Sequence, residues 1–477
     1  MYVLLGAGGS PIVISHKRPG RGSDRGACCW WDTEAAGLGV GRRPTWSGSC
    51  GFWMGWSALL APDEIPVGWV LTKPDLLPAP LADAARDPLR RSEVTGALYQ
   101  AALLIPDVDD AARLHRLVQA VVLHHLPDQD RHELVAGAVA LLAVLFPDEP
   151  WEPVAWPVCA RLLPHAYALV DHAQGQRLAT SAYAELLSGM GDYIWARGLG
   201  LTRARDLHKQ ALAVHQRLYE GDHPDLAVTL TDFAGDLHEL GEHTQARQLD
   251  EQALAMLQRL YQGDHPHIAT LTALAGDLRA LGEPARAREL DEQALAMFQR
   301  LYGGDHEALA TALASVAADL RRLGEPARAR DLDEQALTMR ERLQEGDHPA
   351  TAYSLGALAT DLYALGEPTR ARQFQDQAQG MARRLFEGDN PRTALALNNF
   401  ADDLCGLGDY ARARQMNEQA SGMFQRLYKG DHPRIALALH SLADDLRGLG
   451  DDAGARDLDE QALAMRQRLS AQEMPTS

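Results

Sequence analysis

This sequence predicts an all-α solenoid of about seven helix pairs, on three observations. A phrase of about 42 residues recurs through the second half of the chain, apolar residues inside it are spaced for helix faces, and Gly and Pro punctuate it at fixed points. The phrase opens Gly-Asp-His-Pro, runs through a leucine-patterned stretch to Ala-x-Asp-Leu-x-x-Leu-Gly, and closes on Ala-Arg-x-Leu-x-Glu-Gln-Ala-Leu-x-Met-x-x-Arg-Leu-Tyr. Its Gly-Asp pair returns at Gly221, Gly263, Gly304, Gly346, Gly388 and Gly430. A fixed period of this size marks supersecondary units that cannot bury their apolar faces alone and therefore stack on one another.

Five segments follow from the start of the chain. Residues 1–57 are rich in Gly, Arg and Trp and hold no sustained period of 2 or 3.6, so an irregular segment, disordered or not a native domain, is expected. In residues 58–126 short helical patterns alternate with Pro and Asp breaks. Residues 127–179 read as a helical connector, in which the apolar run from Val135 to Phe146 is too short for a bilayer and fits a buried helix. The repeats occupy 180–470, the first without its Gly-Asp-His-Pro opening, and residues 471–477 form a tail that should fray. Within one unit, Leu226 to Leu240 carries Leu230, Phe233, Ala234 and Leu237 on one side, Gly241 stops the helix, and Thr244 to Tyr261 forms its partner.

Composition narrows the function classes. With 477 residues the chain exceeds one compact core, and a formal charge of -19 opposes broad binding to nucleic-acid phosphates. Five cysteines make no disulfide framework and fit a reducing cytoplasm, while the apolar first residues lack the positive n-region of a signal peptide. No membrane segment is expected.

Repetition separates scaffold positions from variable ones. Asp222, Asp264, Asp305, Asp347, Asp389 and Asp431 precede the first helices and are expected to cap them, with the following Pro in the first turn. The neighbouring histidines read as structural rather than as metal ligands, since Asn390 replaces one of them and successive units set them far apart. A second series, Asp236, Asp277, Asp319, Asp361, Asp403 and Asp445, is followed eleven residues later by Arg247, Arg288, Arg330, Arg372, Arg414 and Arg456. An antiparallel hairpin would bring these together, which predicts a ladder of partly buried ion pairs that sets helix register.

Paired helices, the Leu-Gly between them and Ala-Arg-x-Leu-x-Glu-Gln-Ala-Leu resemble tetratricopeptide repeats, specifically the 42-residue kind of kinesin light chains and many bacterial signalling proteins. The resemblance implies a right-handed superhelix with the first helices on its concave side. There, Thr231, His238, Arg279, Arg321, Tyr363, Asn398, Asp402, His440 and Arg447 stand at the groove positions, differing between units where scaffold positions do not. Arg279 and Arg321 are expected to grip carboxylates, and Asn398 to pair with peptide backbone.

Upstream, Leu60-Ala61-Pro62-Asp63-Glu64-Ile65-Pro66, Leu76-Leu77-Pro78 and Leu114-His115-Arg116-Leu117-Val118-Gln119 resemble the winged-helix end of bacterial NB-ARC-type signalling NTPases. By that resemblance residues 58–126 are a winged-helix-like remnant, and His115 takes the place of the family's nucleotide-sensing His, with Arg116 where an Asp is usual.

A phosphate loop needs Lys and Ser or Thr after its glycines, and Gly6-Ala7-Gly8-Gly9-Ser10 has no Lys. His124, His125, Asp128 and His132 lack tight ligand spacing and read as surface residues. No catalytic residue, no metal and no cofactor are therefore expected. The sequence predicts a non-enzymatic adaptor that takes a protein or peptide in its groove. The alternative is the sensor part of an NB-ARC-type regulatory ATPase whose nucleotide domain is missing from this chain.

Overall fold

The computed structural model describes residues 3–5, 11–13 and 49–473 apart from short gaps, the longest at 97–103 and 264–269. The irregularity expected of residues 1–57 falls mostly outside the described residues. Two short strands lie within it, β1 (Val3–Leu5) antiparallel to β2 (Pro11–Val13). Helix α1 (Ser49–Leu59) crosses the expected boundary at residue 57 and places Met54 and Trp56, each 1% exposed, in the core.

Helices α2 (Val67–Val70) and α3 (Ala79–Arg86) follow α1, then a hairpin of β3 (Leu104–Pro106) and β4 (Ala112–Leu114) that Ile65 joins through paired backbone bonds to Ala112. Helix α4 (Arg116–His125) packs on α1, where the Gln119 amide donates to the carbonyls of Ser57 and Leu60. Helices α5 (Asp128–Leu145) and α6 (Trp156–Gly175) lead into the repeats. A single apolar cluster runs from Met54 through Ile65, Val139 and Leu169 to Met190 and Val214. The upstream elements and the first repeat thus share one core, which covers the end that a stacked array would otherwise leave open.

Seven helix pairs follow. Their first helices are Ser181–Arg197, Pro224–Glu239, Thr270–Ala280, Glu307–Arg322, Pro349–Ala364, Pro391–Gly406 and Pro433–Gly448. Their second helices are Leu201–Leu218, His243–Leu260, Pro284–Leu301, Pro326–Leu343, Pro368–Leu385, Tyr410–Leu427 and Asp452–Glu473. The Ala of each Ala-Arg, from Ala204 to Ala455, is fully buried. In most units it packs on the Ala and Leu of Ala-x-Asp-Leu, as Ala246 does on Ala234 and Leu237, since a small side chain lets the two helices approach closely. The turn between them needs glycine. Gly241 has φ +84°, and its amide and that of Glu242 donate back to the carbonyls of His238 and Leu237, a Schellman closure that other residues adopt only with strain.

Gly-Asp-His-Pro works differently from the expectation. The cap is the histidine: Nδ1 of His223, His306, His348 and His432 accepts the amide two residues on, at 3.1–3.3 Å. In three units a Tyr four residues earlier stacks on that ring at 3.5 Å, as Tyr219 does on His223. The preceding Asp reaches across instead to an Arg 37 residues later in the second helix, with bidentate pairs at Asp222 and Arg259, Asp347 and Arg384, Asp389 and Arg426, and Asp431 and Arg468. Where Glu307 replaces the Pro, it accepts from Arg340, a buried guanidinium also held by Thr311 and Ser354. A polar exchange at one position is thereby matched by another.

The spiral closes on itself. Glu152 bonds His348 at 3.0 Å, the Asn390 amide donates to the Arg197 carbonyl at 2.8 Å, and Arg434 holds the Glu239 carboxylate at 2.7 Å. These contacts, 193–196 residues apart, tie the upstream connector and the turn edges of the first two units to the first-helix starts of the fifth, sixth and seventh. Gly198, at φ +65°, lies against Pro391 and Asn390, and a Cβ there would stand 2.7 Å from the proline ring. We expect Gly198→Ala and Arg434→Ala to raise the radius of gyration in X-ray scattering while leaving the helix signal in circular dichroism unchanged.

Candidate functional site

The first helices of consecutive units touch one another, whereas no such contact of comparable extent joins consecutive second helices. In a curved stack the more closely spaced layer is the inner one, so the first helices line the concave side.

The Ala-x-Asp-Leu aspartates point between units. Asp236, Asp277, Asp319, Asp361 and Asp445 are each 0–1% exposed. A carboxylate stripped of water this way needs donors. The donors are not the arginines eleven residues on, which correct the expected ladder: Arg247 pairs with Glu251 and Glu283, Arg288 with Glu292, Arg330 with Asp331 and Arg414 with Glu418. They come from the preceding unit. Arg279 reaches Asp319 at 2.9 Å and Asp291 at 2.5 Å, and Arg321 reaches Asp361 at 2.7 Å and Asp333 at 2.6 Å. His208 bonds Asp236 at 2.5 Å, His238 bonds Asp277 at 2.6 Å, and Asn417 donates to Asp445 at 2.7 Å.

From the third unit to the seventh, the first-helix position of each rung and the position twelve residues later, on the second helix of the same unit, vary together. Arg279, Arg321 and Arg447 face Asp291, Asp333 and Asp459, whereas Tyr363 and Cys405 stand in register with the neutral Gln375 and Asn417. A charged donor thus goes with a carboxyl and a neutral residue with an amide. Burial, only partly offset by Arg321, pushes the Asp333 carboxyl above its ordinary range, and Asp291 behaves likewise beside Arg279. At the first joint, burial works against a charged His208, but hydrogen bonds to Asp192 and Asp236 hold its pKa well above the ordinary value. Gly191 makes room for that ring, since a Cβ there would fall 2.4 Å from His208 Nε2.

The groove candidates divide accordingly. Arg279, Arg321 and His238 belong to the ladder, their polar groups held by the carboxylates named above. Thr231 bonds Thr270 in the next unit at 3.0 Å, and Asn398, fully buried, donates to Asp402 and Ser441. Tyr363 is 8% exposed against Phe400. Asp402, His440 and Arg447 are exposed at the C-terminal end, where His440 bonds Asp459 and Arg447 pairs with Asp444 and Asp459. His115 is exposed and caps α4, accepting the Leu117 amide at 3.2 Å. An open cleft of about 440 Å³ lies apart from the groove between α5 and α6, lined by Asp128, Arg131, His132, Asp171 and His172.

Sequence reasoning passed over His243. Its first-turn position holds Pro in three other units, and that exchange was the available signal. Among the described residues, the grouping with metal-ligand spacing is His238, His243 and Asp277, not the His124 to His132 stretch.

Stacked helix hairpins locked by a donor-to-carboxylate ladder define a helical repeat solenoid, a class built around extended surfaces. The tetratricopeptide repeat family model matches residues 182–259, 267–342, 315–384, 350–426 and 392–468, and the chain belongs to that family. No curated protein matches it. Among solved structures it is similar to a putative kinesin light chain with nearly identical TPR-like repeats from Podosopora anserina, at 20% identity and TM-score 0.29 over 52% of this chain and 98% of that one. It is also similar to a Rap protein complexed with competence and sporulation factor, at 14% identity and TM-score 0.48 over 85% and 99%. A third is a Signal Transduction ATPase with Numerous Domains protein with a tetratricopeptide repeat sensor from Pyrococcus horikoshii, at 15% identity and TM-score 0.40 over 87% and 62%. Among the described residues no helix is long and apolar enough to cross a membrane.

Two stability measurements check the ladder. Arg321→Ala leaves buried carboxyls without their cation and is expected to cost about 3–5 kcal/mol in urea unfolding, whereas Arg330→Ala should change little. The raised Asp333 pKa makes its contribution to stability fullest below the ordinary value of about 3.9 and progressively lost as pH rises through the folded-state value. The Tm of Asp333→Asn should therefore fall less than that of the parent between acid and mildly alkaline pH.

Proposed function

We propose that this protein is a non-enzymatic cytoplasmic scaffold in bacterial signalling, which binds a peptide or partner protein along the concave face of its solenoid. The observation that carries this reading is the division of labour on the first helices. Asp and Leu recur in every unit from the second on to hold the stack, while the intervening positions change, for instance from Thr231 to His440, as a surface selected for one partner requires. Asp402, His440 and Arg447 form its accessible polar end and offer both signs of charge. Further in, Thr231 is half-buried, and Asn398 and Tyr363 lie buried beneath the face against the next unit.

A second reading is favoured by the continuous core from Met54 to Val214. Rigid joining of the small upstream unit to the first repeat suits the sensor part of an NB-ARC-type regulatory ATPase. In that reading the unit around α1, the β3–β4 hairpin and α4 is the winged-helix-like remnant, and His115 is its former nucleotide sensor.

Selection of displayed peptides on the purified full chain tests the first reading. Binders are expected to lose at least roughly tenfold in affinity to an Asp402→Lys, Arg447→Glu double variant and none to Arg259→Ala on the outer joint. Binders that ignore the first change would overturn it. The chain alone is expected not to hydrolyse ATP.

A further inference from the structure

The rung at the second unit is built differently from the two that follow it. In the third and fourth units a single guanidinium, Arg279 or Arg321, bridges two buried carboxyls, one on its own second helix and one on the next first helix. In the second unit the two carboxyls are present in the same register, Asp250 and Asp277, 2% and 1% exposed. The arginine is absent. His238 stands in its place, and its shorter ring reaches Asp277 at 2.6 Å. Asp250 accepts no hydrogen bond and joins no ion pair among the described residues, and its Oδ1 is buried without a partner.

A second histidine enters at this rung alone. His243 occupies the first position of its helix, where Pro284, Pro326 and Pro368 stand in the next three units. Its Nδ1 is buried without a hydrogen bond and lies 3.9 Å from Asp277 Oδ1. The two imidazoles meet edge to face with centroids 4.8 Å apart. One ligand atom each from His238, His243 and Asp277 falls within 4.8 Å of the others. Both histidines are about one-third exposed, which leaves a route in from solvent.

We propose that His238, His243 and Asp277 bind a divalent transition-metal cation of the zinc type, with water in the fourth position, that does at this joint what an arginine does at the next two. Two imidazole nitrogens and a carboxylate oxygen suit Zn²⁺ in a four-coordinate site completed by water, and the mixed donor set does not suit Mg²⁺ or Ca²⁺, which take oxygen alone. His238 and His243 belong to the second unit and Asp277 to the first helix of the third, so the cation clamps two repeats and its role is structural. Compared with the next two units, this joint exchanges Arg for His and Pro for His together. What singles it out is that both incoming side chains are imidazoles converging on one buried carboxylate.

The test uses the full chain without a histidine tag, stripped with chelator and titrated with Zn²⁺ by calorimetry, with Tm followed in parallel. One strong equivalent and a zinc-dependent rise in Tm are expected, together with the d–d absorption of a tetrahedral site when Co²⁺ is substituted. His238→Arg rebuilds the arrangement of the next units, so it should fold without zinc, lose the strong equivalent and no longer respond in Tm. His243→Gln should weaken binding at least roughly tenfold while the fold is retained. A parent that retains no stoichiometric zinc, or variants that bind it as the parent does, would overturn the proposal.

Discussion

Among the described residues, five repeats bury a carboxylate that they do not satisfy by themselves. Desolvating an ionised carboxyl costs several kcal/mol unless donors replace the lost water, so Asp236, Asp277, Asp319, Asp361 and Asp445 bind each unit to its predecessor. Apolar surfaces between helices tolerate small slips, because burial is nearly indifferent to direction. A guanidinium between two carboxyls does not. The ladder therefore sets the register of unit on unit, and the superhelical path follows from it.

That constraint also limits what the concave face has left for a ligand. Residues that look free in a single hairpin, such as Arg279 and Arg321, lie against the next unit once the hairpins are stacked. The outer joints are held by a different device. The stacked Tyr and His, the histidine cap and the bidentate Asp and Arg pair all sit at the surface. Scaffold chemistry thus occupies the two edges and the buried seam of each unit, and the exposed positions of the first helices carry the individuality of this chain.

Much of this was legible in the repeats. Helix pairs, their number, their glycine stops and the importance of the aspartate series are all local or periodic signals, and the helices lie where the pattern put them. The partners of the aspartates were misread because an eleven-residue spacing suits a hairpin considered alone, whereas stacking brings together residues 39–40 apart. A better signal was present in the joint variation of Arg279 with Asp291, Arg321 with Asp333, Tyr363 with Gln375 and Cys405 with Asn417. The histidine cap was missed because Asp is the commoner capping residue, yet here the aspartate is drawn away by an arginine in the next helix. Trp56 was set aside with the irregular composition around it, although α1 carries it into the core.

Taken alone, the sequence determines the repeating hairpin, since helix periodicity, caps and turn glycines act over a few residues and need no knowledge of the rest. Only the tertiary structure decides which donor meets which carboxylate, that His238 and His243 converge on Asp277, and that Glu152, Arg197 and Glu239 meet residues nearly 200 positions later. The first two outcomes depend on how one unit docks on the next, and the last on the small rotation between units accumulated over several of them, quantities that no short window of sequence contains.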